Sequence, residues 1–203
     1  MAGLREKLLA PDNRVRRNPM VIVVNMLLAS IVVLFLALTY GYALRMGSNW
    51  LEFRLPKVFW LSTICIMLVS FFLRRTIKYY DTDRTARLRR AMALATIMAT
   101  AFVVCQLIGW GELGKAGILM DTSTSASYLY LLSGLHLLHV GVGIIILLVG
   151  CVRLFTNTST PVKALLYYAD PVRRDRLKLL NHYWHTIDFL WLFLFLVILY
   201  NQT

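Results

Sequence analysis

The chain of 203 residues carries four histidines, and they fall as two H-x-x-H pairs, His136/His139 and His182/His185. The second pair opens an apolar run that continues to Tyr200 and encloses a carboxylate, Asp188. Imidazole suits zinc, copper and iron, so two i, i+3 pairs on separate helices could make a four-nitrogen metal site or supply axial ligands to haem. Two features oppose that chemistry. His182 sits at the edge of its apolar run whereas His136 lies well inside another, and the carboxylate–histidine pattern of di-iron bundles is absent. The competing reading starts from Asp188, because an ionisable group inside an apolar run is costly unless it faces a partner or water. His185, Asp188 and Trp191 (i, i+3, i+6), and Trp184 with Trp191 (i, i+7), fall along one side of a helix. This arrangement predicts an interhelical polar cluster of His136, His139, His185 and Asp188 that pins the fourth and fifth helices together, with a direct proton-carrying role as a further alternative.

The elements that must position these residues are membrane helices. The chain is 59% hydrophobic with mean hydropathy +0.64. At roughly 20 residues per span, the apolar runs predict five transmembrane helices, near 19–44, 56–73, 91–111, 127–152 and 182–200. The fold class is therefore all-α, a polytopic bundle over 19–203 preceded by a polar segment, 1–18. The first apolar run is too long for the core of a cleavable signal and is expected to remain as a helix.

The net charge of +12 does not indicate nucleic acid, because of where the charge lies. All of the 22 Lys and Arg residues except Arg45, Arg54, Lys57 and Lys115 fall in three segments: before the first span, between the second and third, and between the fourth and fifth. The positive-inside rule then puts the N-terminus in the cytoplasm and the C-terminus outside, which would be the periplasm in a bacterial cytoplasmic membrane. Arg74 to Arg90 reads as a solvated loop or helix extension, and the basic surface attracts anionic lipid headgroups.

Between these landmarks the signals are local. Trp50 and Phe53 suit an interfacial turn. Gln106 can hydrogen-bond across helices, and with Trp110 it reads as a packing or lipid-contact residue, as do Tyr183, Trp184 and Trp191. Asp121 and the hydroxyl residues after it predict the start of the fourth span. Gly134, Gly141, Gly143 and Gly150 let neighbouring backbones or a lipid tail approach that span closely. Thr156 to Lys178, with Pro161 and Pro171, reads as a loop. Cys65, Cys105 and Cys151 show no C-x-x-C spacing and read as free, buried thiols.

Three segments resemble a known family. Tyr183-Trp184-His185-Thr186-Ile187-Asp188-Phe189-Leu190-Trp191-Leu192-Phe193 is similar to the Tyr-Trp-His-Phe-Val-Asp-Val-Val-Trp-Leu-Phe signature of subunit III of the haem-copper respiratory oxidases. Leu132-Ser133-Gly134-Leu135-His136-Leu137-Leu138-His139-Val140 is similar to that family's Leu-Thr-Gly-Leu-His-Gly-Leu-His-Val, and Leu55-Pro56 with Trp60 and Thr63 resembles its entry to a further helix. The resemblance, over roughly residues 20–200, implies the short five-helix form of the subunit. It implies no catalytic residue, metal or redox cofactor on this chain. It implies bound phospholipid, with haem and copper held by a partner catalytic subunit I, and subunits II and IV, or a larger respiratory supercomplex, as further partners in a bacterial cytoplasmic membrane. The implied complex reduces dioxygen to water and pumps protons. One departure stands out: where the family carries a membrane-buried glutamate after Leu-x-x-Ser, this chain has Ile31 after Leu27-Leu28-Ala29-Ser30. The readings from other classes are a haem- or metal-binding electron carrier using the H-x-x-H pairs, and a small transporter or assembly factor. No inverted repeat supports transport.

Overall fold

The computed structural model describes residues 19–45 and 55–200. Six helices follow one another: α1 (Pro19–Leu44), α2 (Val58–Asp81), α3 (Thr85–Lys115), α4 (Thr124–Asn157), α5 (Pro161–Ala169) and α6 (Pro171–Tyr200). All but α5 are long and apolar enough to cross a membrane. In a bilayer each backbone N–H and C=O must be satisfied within the protein, which a helix does along its own length. The segments expected at 1–18, at Trp50 and Phe53, and at the C-terminus lie outside the described residues.

α1 coincides with the span read from hydropathy, and the other four membrane-length helices exceed theirs. α3 has 31 residues, about 46 Å at ~1.5 Å per residue, against a hydrocarbon core of ~30 Å. The surplus lies at the basic end, where Arg74 to Arg90 is helical on both sides of a tight turn at Thr82–Arg84, with Asp83 at φ 52°. The segment Thr156 to Lys178 is not a loop: it holds α5 and the first turns of α6. Thr160 caps α5 by accepting from the Lys163 N–H, and Pro161 fits the first helical turn because it has no N–H to leave unpaired. Nor does Asp121 start α4. Ser123 is the cap, its hydroxyl accepting from the Ala126 N–H at 3.2 Å, while Asp121 is exposed two residues earlier.

α2 and α3 form an antiparallel hairpin, α3 packs on α4, and α6 is the central helix, touching α1, α2, α4 and α5. Accordingly α6 buries more than one face: Trp184, Ile187, Leu190, Trp191 and Leu194 are all at most 3% exposed. α1 buries a single stripe, Leu28, Ile31, Phe35, Thr39 and Tyr42, against α4 and α6, and leaves residues such as Val23, Met26 and Val33 facing outward. Of the free thiols, Cys65 is buried and Cys105 and Cys151 are half-buried.

Of the four glycines singled out on α4, Gly143 most clearly sets a helix contact. A Cβ there would stand 2.9 Å from Tyr183 Cε1 and 3.0 Å from Trp184 Cζ2, whereas one on Gly141 would meet nothing within 4 Å. Replacing Gly143 by Ala therefore forces α4 and α6 apart at a cost of about 1–3 kcal/mol. Gly141→Ala should stay within about 0.5 kcal/mol of wild type. Reversible unfolding in mixed micelles measures both, and equal effects would remove this account of the contact.

Candidate functional site

Asp188 lies on the inner side of α6, 3% exposed. Its Oδ2 accepts a hydrogen bond from the Ser70 hydroxyl of α2, and its Oδ1 is buried with no partner among the described residues. Ser70 Oγ also lies 2.7 Å from His185 Nδ1. One hydroxyl thus stands between an imidazole and a carboxylate that are a turn apart on α6. No direct His185–Asp188 ion pair occurs among the described residues. His185 is half-buried and His182, a turn nearer the basic end, is exposed.

His136 and His139 are elsewhere. His136 is fully buried, both ring nitrogens lack partners among the described residues, and its ring packs against Trp191 (centroids 5.1 Å), Phe102 (5.8 Å) and Phe35 (6.3 Å). His139 Nδ1 donates to the Leu135 carbonyl of its own helix at 2.7 Å, and the ring meets Phe35 edge-on at 5.8 Å. The expected single cluster of His136, His139, His185 and Asp188 is therefore split in two, and the carboxylate is joined to the second span rather than the fourth. The physical reason is the position of α6 between α2 and α4. Its Asp188 edge faces α2, and the ring of Trp191 fills the space beside His136.

The other singled-out residues link helices. Gln106 Nε2 donates to Ser62 Oγ at 2.9 Å, joining α3 to α2. Trp110 Nε1 donates to Ser133 Oγ at 3.1 Å, joining α3 to α4, and Trp191 Nε1 donates to Thr63 Oγ1 at 3.0 Å, joining α6 to α2. The Tyr183 hydroxyl donates to the His139 carbonyl at 2.7 Å, while the Trp184 indole N–H is buried with no partner among the described residues. Sequence reasoning missed Ser62, Thr63, Ser70 and Ser133, the acceptors and relays. A serine in an apolar helix normally returns its hydroxyl to its own backbone, as Ser30 does to Met26. Spacing gives no sign of which ones also reach a neighbouring helix.

At the basic end a cavity of about 760 Å³ opens between α1, α4, α5 and α6. Val24, Ile145, Val149 and Leu180 supply apolar wall, and Arg153, Arg173 and Arg176 stand among its lining residues. Arg173 is held there by Asp170 at 3.1 Å and lies over the Tyr167 ring. An apolar trough with cationic groups suits an amphiphile with an anionic head. Nearby, the Arg174 guanidinium grips Asp81 with two bonds of 2.7 and 2.8 Å, tying α6 to the end of α2.

The four histidines do not converge, and among the described residues no three His, Cys, Asp or Glu side chains come together as a group that could hold a metal. What the chain does match is a membrane subunit family: the model for cytochrome c oxidase subunit III covers residues 20–203. The chain belongs to the cytochrome c oxidase subunit III family. It is 26% identical over 114 residues to a cytochrome c oxidase subunit 3 of Corynebacterium diphtheriae, which is 56% of this chain and 51% of that protein. It is 31% identical over 111 residues to a probable cytochrome c oxidase subunit 3 of Mycobacterium bovis, covering 55% and 50%. The matched region thus spans about half the length of these curated relatives. Within the family frame, Ile31 is buried in the stripe of α1 that faces α4 and α6, so an apolar side chain occupies the interior place where the resemblance puts a glutamate.

The Trp191 contacts separate hydrogen bonding from packing. Trp191→Phe keeps a ring beside Phe59, Phe102 and His136 but deletes the bond to Thr63, a loss of about 0.6 kcal/mol by the average of interhelical bonds in membranes. Trp191→Ala also empties the space and should cost about 3–5 kcal/mol. Denaturant titration in detergent distinguishes the two. Similar losses for both variants would mean that the indole N–H, rather than its bulk, carries the contact.

Proposed function

We propose that this chain is a non-redox subunit of a haem-copper terminal oxidase, buttressing the catalytic subunit and holding structural phospholipid. The observation that carries the reading is the family match over residues 20–203 on a chain with five membrane-crossing helices. The haem and copper belong to the partner catalytic subunit I, whose complex reduces dioxygen and pumps protons, with subunits II and IV as further neighbours. The dispersal of His136, His139, His182 and His185 supports packing and hydrogen-bonding roles for them over ligation. The chain sits in a bacterial cytoplasmic membrane, consistent with the bacterial relatives. Its basic end, with Arg74 to Arg90 and Arg173 to Lys178, faces the cytoplasm by the positive-inside rule.

The cavity beside Arg153, Arg173 and Arg176 supports the lipid role. Acyl chains fit its apolar wall, and a phosphate suits guanidinium groups that can bind it through two parallel bonds. The broad apolar surface of α1 and α2 outside the core is the surface left for the partner subunit and for bulk lipid.

Two measurements test the reading. Tagged protein eluted in mild detergent should carry haem and copper, and should lose both when partners are stripped away. Metal retained on the bare chain would overturn the non-redox assignment, and no metal in either eluate would favour a transporter or assembly factor. Arg153→Gln with Arg176→Gln should at least halve the anionic phospholipid that copurifies, quantified by lipid mass spectrometry. Arg87→Gln, an exposed arginine outside the cavity, should leave it unchanged.

A further inference from the structure

Ser70 has one hydroxyl proton and two neighbours that compete for it. Its Oγ stands 2.7 Å from His185 Nδ1 and is hydrogen-bonded to Asp188 Oδ2. A hydroxyl is a single donor with two acceptor lone pairs, so it cannot donate to both. Either the hydroxyl donates to the carboxylate and Nδ1–H donates to the hydroxyl, or the acid O–H donates to the hydroxyl and the hydroxyl donates to a bare Nδ1. These two states interconvert when two protons each cross one hydrogen bond, a net transfer of one proton from imidazole to carboxylate, and no heavy atom needs to move between them.

The surroundings give the chain a direction. His185 is half-buried, with exposed His182 one turn toward the basic end on α6 and exposed Arg74 one turn from Ser70 on α2. Arg74 and His182 are the charged or titratable groups that flank the pair on α2 and α6, and the Ser70 hydroxyl is hydrogen-bonded to Asp188. From α4, His136 and His139 are engaged with Trp191, Phe102, Phe35 and Leu135. At the inner end, Asp188 Oδ1 is buried with no partner among the described residues.

We propose that Ser70, His185 and Asp188 form a proton-transfer site, in which a proton taken up at His185 Nε2 is delivered through the Ser70 hydroxyl to the Asp188 carboxylate. The step balances. Before uptake the imidazole is neutral with its hydrogen on Nδ1, and the carboxylate is ionised. A proton binds Nε2; the Nδ1–H bond breaks as a new Oγ–H bond forms; the original Oγ–H bond breaks as an Oδ2–H bond forms. The imidazole ends neutral with its hydrogen on Nε2, Asp188 ends as the acid, and the site has gained one proton with no electron transferred. This use of the three residues goes beyond the packing role proposed for the subunit. It belongs to this chain's own side chains, so its test does not depend on the oxidase assignment.

The test is infrared difference spectroscopy of the full chain in lipid nanodiscs across a pH titration. Wild type minus Asp188→Asn isolates the carboxyl C=O band, and wild type minus His185→Asn isolates the imidazole bands. Coupling through one hydroxyl predicts that the carboxyl and imidazole signals change together in a common transition. Ser70→Ala should separate them, moving the Asp188 midpoint by about one pH unit or more, the threshold at which two sites titrate as a pair. Ser70→Thr, which keeps the hydroxyl, should restore the joint transition and serves as the decisive variant if Ser70→Ala does not fold. Independent titrations in wild type, or an Asp188 that holds one protonation state throughout, would overturn the proposal and leave Ser70 as a structural clip. So would an unchanged Asp188 midpoint in folded Ser70→Ala.

Discussion

The structure depends on hydrogen bonds made between helices in a solvent that offers none. Inside a bilayer a buried carboxylate, indole N–H or amide has no water to turn to, so its partner must come from another helix or from its own backbone. α6 carries the most demanding of these groups, Asp188, and the bundle is arranged so that α6 lies between α2 and α4. Ser70 and Thr63 of α2 meet Asp188 and Trp191 on one side, and the His139 carbonyl of α4 meets Tyr183 on the other. Each bond is individually modest. Together they determine which face of α6 looks at which neighbour.

Packing then works around those fixed points. Gly143 permits the ring of Trp184 to lie against α4, and Trp191 closes over His136 together with Phe102 and Phe35. Phe35, Phe102 and Trp191 enclose His136, quite unlike His185, which is only half-buried. Chemically the two H-x-x-H pairs are therefore different objects despite identical spacing. In one, the imidazoles serve as packing rings. In the other, a single imidazole is joined through a hydroxyl to a carboxylate.

The basic end has a separate logic. There the helices outrun the hydrocarbon, and charge takes over from packing: Arg174 with Asp81 ties α6 to α2, Arg173 with Asp170 anchors the start of α6, and Arg89 reaches Thr158 to join α3 to α4. α5 fills this end, and the Tyr80 hydroxyl donates to the Asp170 carbonyl at 3.1 Å, just past that helix, with the Tyr167 carbonyl 3.3 Å away. An apolar trough lined partly by arginines results from the divergence of α1, α4 and α6 at this level.

Much of this was legible from the residues. Five spans follow from apolar runs of ~20 residues, because the bilayer thickness sets the length of helix needed. The importance of Asp188 follows from one carboxylate inside such a run, and the family from the ordered segments around His136 and His185. Helix ends were less legible. Hydropathy reports where the membrane stops, but Arg74 to Asp81, Thr85 to Arg90 and Pro171 to Lys178 continue as helix beyond the apolar runs, where intrahelical bonds and caps such as Thr160 decide the boundary. The partners were not legible at all. The sequence by itself determined that Asp188 had to be satisfied inside the bundle; only the tertiary structure decided that Ser70, 118 positions away, would do it. The cost of burying a charge is a property of the residue, whereas the identity of the group that relieves it depends on how helices are rotated and placed, which no periodicity along a single chain encodes.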